Sequence, residues 1–446
     1  MPKISIIMPL YNASKYLKET LQSVQQQTFT DYELICINDA STDDTAEILC
    51  RFQIEDARIQ ILTNAERHGA AYSRNRGMKE AKGEYLAFLD GDDVFDEEMF
   101  EKAYHAAVES QADIVMYEFL HVPSDTVFIK RKVFHSEQYR DRYCRKVFSL
   151  QEYAPYECLN WGLGPWSKLY KRDLIEQNQL WFQDLSCSND LYFVCMALML
   201  SKRLLLLDDT RIMVYVRDHD EPDRISSNRD PMCSYLAFLQ IAEELVKRNI
   251  FSELSAHFYY FLLRAVRCAL LQCRTEEKAR TFYQFFQKEG IHNIVAAGGD
   301  CESLDTYQKE QLEQFINKDF DSGWFKEESG LRMPLNCQRH AEVVIQMFQE
   351  YRNAGKAVGI WGAGANGISL LEFCQENDLS VEMLIDQSKE KQGRWMCGHL
   401  VRRPEEIKGR LQVVVAATRN IFESVTQELS GQDIEVVDMN QVLWIY

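Results

Sequence analysis

Five short, mainly apolar runs recur through the first 120 positions: ISIIMPL (4–10), ELICIND (33–39), IQILT (59–63), YLAFLD (85–90) and DIVMYEF (113–119). They are continuous rather than alternating, as expected of strands in a parallel sheet covered on both faces. Between them, segments near 14–27, 43–55, 70–82 and 96–110 have helical periodicity. Asp43, Asp44, Asp96 and Glu97 stand at helix starts, where the helix dipole favours acids. Alternation of this kind predicts βαβ units and an α/β fold. Ligands of such sheets bind beyond the carboxyl ends of the strands. Tyr11, Asn12, Asn38, Asp39, Asn64 and the acids Asp90, Asp92 and Asp93 all fall at those ends.

The pattern becomes irregular from about 120 to 228, where WGLGPWSKLY (161–170) reads as a loop-rich element. It turns helical from 232 to 290, with apolar stripes at helix spacing that serve packing. Residues 291–330 read as linker, and AEVVIQMFQEYRNAG (341–355) as a helix closed by a glycine C-cap. A second α/β unit then begins at KAVGIWGAGANG (356–367), with further strands at 380–386, 411–418 and 434–439. The organisation expected is a mostly parallel α/β domain over 1–228, a helical extension or linker over 229–350, and a small α/β domain over 351–446.

Composition narrows the possibilities. At 446 residues and 46% hydrophobic content, two or three globular domains are expected. The net charge of −18 argues against nucleic acid as a partner. Thirteen cysteines without a CxxC pair suggest free thiols in a reducing cytosol. No signal peptide precedes the first strand, and the longest oily run, LYFVCMALML (191–200), is too short to span a bilayer. A cytoplasmic protein is expected, with peripheral attachment to the inner face of a membrane and self-association left open.

Asp90, Asp92 and Asp93 crowd three carboxylates where the fourth strand ends. Such neighbours repel by about 1 kcal/mol or more per pair at an effective dielectric near 20. Either they diverge into water, or they share a hard divalent cation, Mg²⁺ or Mn²⁺, with positions left for phosphate oxygens.

The ordered segments SIIMPLYNASKYLKETLQSVQQQTFTDYELICINDASTDDT, GAAYSRNRGMKEAKGEYLAFLDGDD and the strand after them resemble family 2 glycosyltransferases over roughly residues 1–228. The resemblance implies a GT-A fold and a nucleotide-diphospho-sugar donor, with UDP the expected nucleotide. It implies that Tyr11 stacks on the base, that Asp39 accepts from the base N–H, and that Pro9 shapes this pocket. Arg74 would brace the nucleotide or its phosphates. Asp90 and Asp92 would form the DxD element, with Asp92 the more direct metal ligand and Asp90 nearer the ribose.

After WSKLY (166–170), SCSNDLYF (186–193) offers Asp190 as the base that takes the acceptor's proton, with Asn189 where the family commonly has a second acid. Asp190 also suits a helix N-cap. Arg217 and His219 would lie in the loop that closes over the diphosphate. A metal-dependent, inverting transfer to a glycan or lipid-linked hydroxyl, in polysaccharide biosynthesis, is the expected activity. A nucleotidyltransferase, or a glycosyltransferase-like scaffold without catalysis, are the alternatives.

Gly362, Gly364 and Gly367 give G-x-G-x-x-G spacing between a strand and a helix, with Asp386 at the end of the next strand. That context fits a pyrophosphate at the helix N-terminus and a ribose on the acid. The segment resembles small Rossmann-like domains appended to sugar-modifying enzymes, which leaves nucleotide binding and an architectural or docking role both open.

Overall fold

The computed structural model describes residues 1–123, 145–152, 163–207, 213–218, 230–271, 273, 276–297, 309, 312–313, 316–317, 320, 341–363, 365–389, 391–396, 398–417 and 419–442. The expected alternation is present: β1 (Ile4–Leu10), α1 (Ser14–Gln25), β2 (Tyr32–Asn38), α2 (Thr45–Glu55), β3 (Ile59–Thr63), α3 (Ala70–Glu80) and β4 (Tyr85–Phe88). Strand β1 lies between β2 and β4, and all three are parallel, with Ile4 opposite both Tyr32 and Tyr85.

Successive side chains of a strand point to opposite faces. Ile4, Ile6 and Met8 pack with Leu17, Leu21 and Val24 of α1 on one side. Ile7 and Ile37 meet α3 on the other, so closely that a Cβ at Gly77 would lie 2.6 Å from Ile7 Cγ2 and 2.9 Å from Ile37 Cδ1. Gly77→Ala is therefore expected to destabilise the protein by about 1–3 kcal/mol through overpacking. Chemical denaturation at unchanged m-value is the check.

Beyond β4 the chain continues as β5 (Val94–Phe95), α4 (Met99–Ser110), β6 (Ile114–Met116), β7 (Glu118–Pro123), β8 (Val147–Phe148), β9 (Lys168–Lys171), α5 (Arg172–Gln177), α6 (Leu191–Leu200), β10 (Leu204–Leu206) and β11 (Met213–Asp218). The main sheet has the order β3-β2-β1-β4-β9-β6-β10-β8, and β5, β11 and β7 form a small second sheet. The WSKLY stretch, expected as part of a loop-rich element, supplies β9. It runs antiparallel between β4 and β6, pairing Tyr85 with Lys171 and Ile114 with Tyr170. Four residues with a lysine at each end show no strand periodicity, yet Lys168 is buried.

Helices α7 (Pro231–Lys247), α8 (Phe251–Leu271), α9 (Glu276–Phe285) and α10 (Ile291–Ala296) follow. Asp230 caps α7 by accepting from Met232 N, and Pro231 fills the first position, where no amide donor is needed. These helices belong to the same compact unit as the large sheet, and the second unit begins after Phe320.

The second unit contains α11 (Ala341–Asn353), β12 (Val358–Trp361), α12 (Ala365–Glu376), β13 (Met383–Ile385), β14 (Trp395–Met396), β15 (His399–Arg402), β16 (Val413–Ala416), α13 (Arg419–Glu428), β17 (Glu435–Asp438) and α14 (Met439–Val442). Its sheet has the order β14-β15-β13-β12-β16-β17 and is parallel except for β14. Two apolar clusters hold it, one including Val344, Phe348 and Leu370, the other Ile385, Leu411 and Val425. Among the described residues no helix is long and apolar enough to cross a membrane.

Candidate active site

The carboxyl ends of β1, β2 and β3 are stitched together by polar side chains. Asn12, at a positive φ of 47°, accepts from Thr42 N at 2.8 Å. Asp43 accepts from Ser14 N and Thr45 N, both at 3.0 Å, and so ties the starts of α1 and α2. Partial burial opposes ionisation of Asp43, but the hydrogen bonds from Ser14 and Thr45 outweigh it and hold the carboxyl below its usual range. Pro9 lies in β1 opposite Ile37, one strand position before this turn.

Asp39, only 2% exposed, receives Asn64 Nδ2 at 2.6 Å and the backbone N–H groups of His68 at 2.9 Å and Gly69 at 2.6 Å. A carboxylate has about four acceptor sites, so one remains for a ligand. The 64–69 loop is thereby pinned at both ends to the residue expected to read a base. Between those pins, the Arg67 guanidinium stacks 3.9 Å from the centroid of the Tyr11 ring.

A second group forms around Arg74 of α3, which is nearly buried. Its Nη2 donates to Asp90 Oδ1 at 2.7 Å and its Nη1 to Asn189 Oδ1 at 3.4 Å. One guanidinium thus joins the end of β4 to the segment before α6. Asn75 makes the same connection through the backbone, donating to Phe182 O and accepting from Phe182 N, each at 2.8 Å. Phe182 in turn stacks on Phe193 of α6, with centroids 4.1 Å apart. Asp190 stands at the N-cap position of α6, but its side chain makes no capping hydrogen bond.

Asn75→Ala would leave the Phe182 amide and carbonyl without these partners, at a cost of about 1–3 kcal/mol. The expected result is a lower melting temperature together with a fall in kcat larger than any change in donor affinity. Calorimetry and steady-state kinetics on one preparation check both.

The Asp90 carboxyl feels charges from both sides of the site. Burial pushes the Asp90 carboxyl above its ordinary range; Arg74 opposes this, while Asp92 and then Asp190 add to it. Asp90 therefore feels both Asp92 and Asp190, although 100 positions separate it from the latter. Among the described residues no three His, Cys, Asp or Glu side chains form a ready-made metal cage. Asp90 and Asp92 nevertheless fit Mg²⁺ or Mn²⁺ as those ions are usually held beside phosphates, by one or two carboxylates with substrate oxygens and water completing the shell. His219 lies outside the described residues. Arg217 occupies the β11 position opposite Val122.

Arg67 and Lys168 carried no readable signal in the sequence, and nothing in it pairs Asn75 with Phe182. Arg67 and Asn75 are ordinary polar residues of a loop and a helix until their partners are known. Lys168 is 1% exposed, and its Nζ donates to Gly164 O at 2.9 Å. Burial pulls its ammonium down to about 7, Cys195 opposing, Arg264 adding and Asp190 opposing.

In the second unit, Gly362 adopts a φ of +111°, and a Cβ at Gly367 would overlap the Gly362 carbonyl. These two glycines permit the tight strand-to-helix turn; Gly364 lies outside the described residues. Asp386 is already engaged, accepting from Ala363 N at 2.7 Å, Ser388 N at 2.8 Å and Lys391 Nζ at 3.1 Å.

Residues 5–176 match the family model described as glycosyl transferase family 2. Residues 300–430 match the one described as C-methyltransferase C-terminal domain. The glycosyltransferase GlyG of Streptococcus pneumoniae is 30% identical over 180 residues, 39% of this chain and 58% of that protein. EpsJ of Bacillus subtilis, described as an uncharacterized glycosyltransferase, is 31% identical over 210 residues, 47% of this chain and 60% of that protein. The chain thus spans less than two thirds of the length of each. The crystal structure of S. aureus TarS residues 1–349 with UDP-GlcNAc has a TM-score of 0.50 at 21% identity, covering 80% of this chain and 93% of that one. That likeness establishes a GT-A fold.

Proposed function

We propose that this chain is a metal-dependent, inverting glycosyltransferase that moves a sugar from a nucleotide-diphospho-sugar, a UDP-sugar, to a hydroxyl of a glycan or lipid-linked acceptor. The observation that carries the proposal is the bridge Asp90–Arg74–Asn189, which ties the residue before Asp190 to the acid at the end of β4. The match of residues 5–176 to the glycosyltransferase model and the two relatives above support it.

Tyr11 and the remaining acceptor site of Asp39 take the base. The transferred sugar then lies between Asp90 and Asp190. Asp190 takes the proton of the attacking hydroxyl as the bond from the anomeric carbon to the diphosphate breaks. A single displacement with the base opposite the leaving group inverts the anomeric centre. Asp90 and Asp92 would hold Mn²⁺ or Mg²⁺, which when bound neutralises charge growing on the leaving diphosphate. Arg74 holds Asp90 by its hydrogen bond and opposes the burial that raises its carboxyl.

The second unit is read as a Rossmann-like scaffold. Its acid Asp386 ties the glycine turn to the segment after β13. A panel of UDP- and GDP-sugars incubated with the full chain and Mn²⁺ tests the reading. Slow release of UDP from at least one UDP-sugar, stopped by EDTA, is expected; no nucleotide release from any donor and acceptor pair opposes it.

A further inference from the structure

The two side chains assigned to the base, Tyr11 and Asp39, are both in contact with one loop of the chain itself. Asp39 pins Asn64, His68 and Gly69, and the residue between the pins, Arg67, covers the Tyr11 ring. Arg67 is exposed apart from this contact. The base is taken to stack on the face of Tyr11 that Arg67 covers, so the guanidinium must yield it.

Where it goes follows from the anchoring. The His68 and Gly69 amides after Arg67 and the Asn64 side chain before it are fixed to a buried carboxylate, which keeps the side chain's origin beside the ring. Only its torsions need change, and withdrawal by the thickness of one ring, about 3.5 Å, places the guanidinium plane on the far side of the base. That position is favourable. Guanidinium planes stack on bases and on aromatic faces alike, and the diphosphate next to the base is anionic.

We propose that Arg67 is a donor-binding residue that clamps the base against Tyr11, closing the ring face in the empty protein and forming a sandwich in the loaded one. The proposal rests on the reading of Tyr11 as the base platform. It deepens that reading by making base affinity depend on a residue of the 64–69 loop. The loop's lock onto Asp39 makes Arg67 a clamp that stays in place, in contrast to a plug that would leave the site.

The test is calorimetric or NMR titration of the full-length protein, Arg67→Ala and Arg67→Lys with uridine, UMP and UDP, and with guanosine and GDP as comparison. Because Arg67 is exposed, both variants should fold, which circular dichroism verifies. Arg67→Ala should weaken uridine, UMP and UDP by a common factor on the order of 10-fold. Arg67→Lys, which keeps the charge but not the plane, should recover only part of this. Unchanged affinity, tighter binding by the alanine variant, or weakening confined to UDP with uridine unaffected would each overturn the clamp while leaving the donor reading intact. If the unmodified protein binds none of these nucleotides, the donor reading fails and the clamp falls with it.

Discussion

Asp190→Asn should lower glycosyl transfer by about 10²–10⁴-fold and leave nucleotide-sugar affinity unchanged. The substitution keeps size and shape but removes the acceptor for the hydroxyl's proton. Asp190 makes no capping hydrogen bond, so α6 loses no cap and the fold should keep its melting temperature. The neighbouring anchors are also untouched, because Phe182 is held by Asn75 and Asn189 by Arg74. Single-turnover transfer and donor titration on the same variant separate the two effects. Near-normal turnover on the true acceptor would remove Asp190 from the reaction.

Asp92→Asn should act on a different quantity. If Asp90 and Asp92 hold the cation, loss of one carboxylate should weaken Mn²⁺ binding and lower transfer on the order of 10²–10³-fold, a loss that saturating Mn²⁺ partly restores. Asp190→Asn should show no such rescue. Asp92 adds to the burial that raises the Asp90 carboxyl, so its neutralisation should also ease the repulsion within the group.

Much of the frame is written in the sequence, for a plain reason. Strands buried on both faces need continuous apolar runs, and β1 to β4 have them. Polar residues that interrupt such runs at one end stand out, as Tyr11, Asp39, Asp90 and Asp92 do. Contacts formed across the fold leave no such mark. Asn75 and Phe182 are 107 positions apart, and neither the helix nor the loop changes composition to announce the pair. Strand β9 escaped because four residues flanked by lysines have no period, and β14 and β15 because each is just as short. The helical stretch after 229, expected as an extension or linker, lies in the same compact unit as the large sheet, and within it Tyr235 packs on Phe285 and Phe238 on Phe258. Composition predicts that such helices pack, and it does not say against what.

The central claim is that the acids at the end of β4 act through a cation on a diphosphate. It is tested most directly by measuring the affinity of the full-length protein for UDP with Mn²⁺ and with EDTA, alongside Asp92→Asn. The account predicts at least roughly tenfold tighter binding with Mn²⁺ in the unmodified protein and little or no gain in the variant. Equal affinity with and without the ion, or the same gain in both proteins, would contradict it.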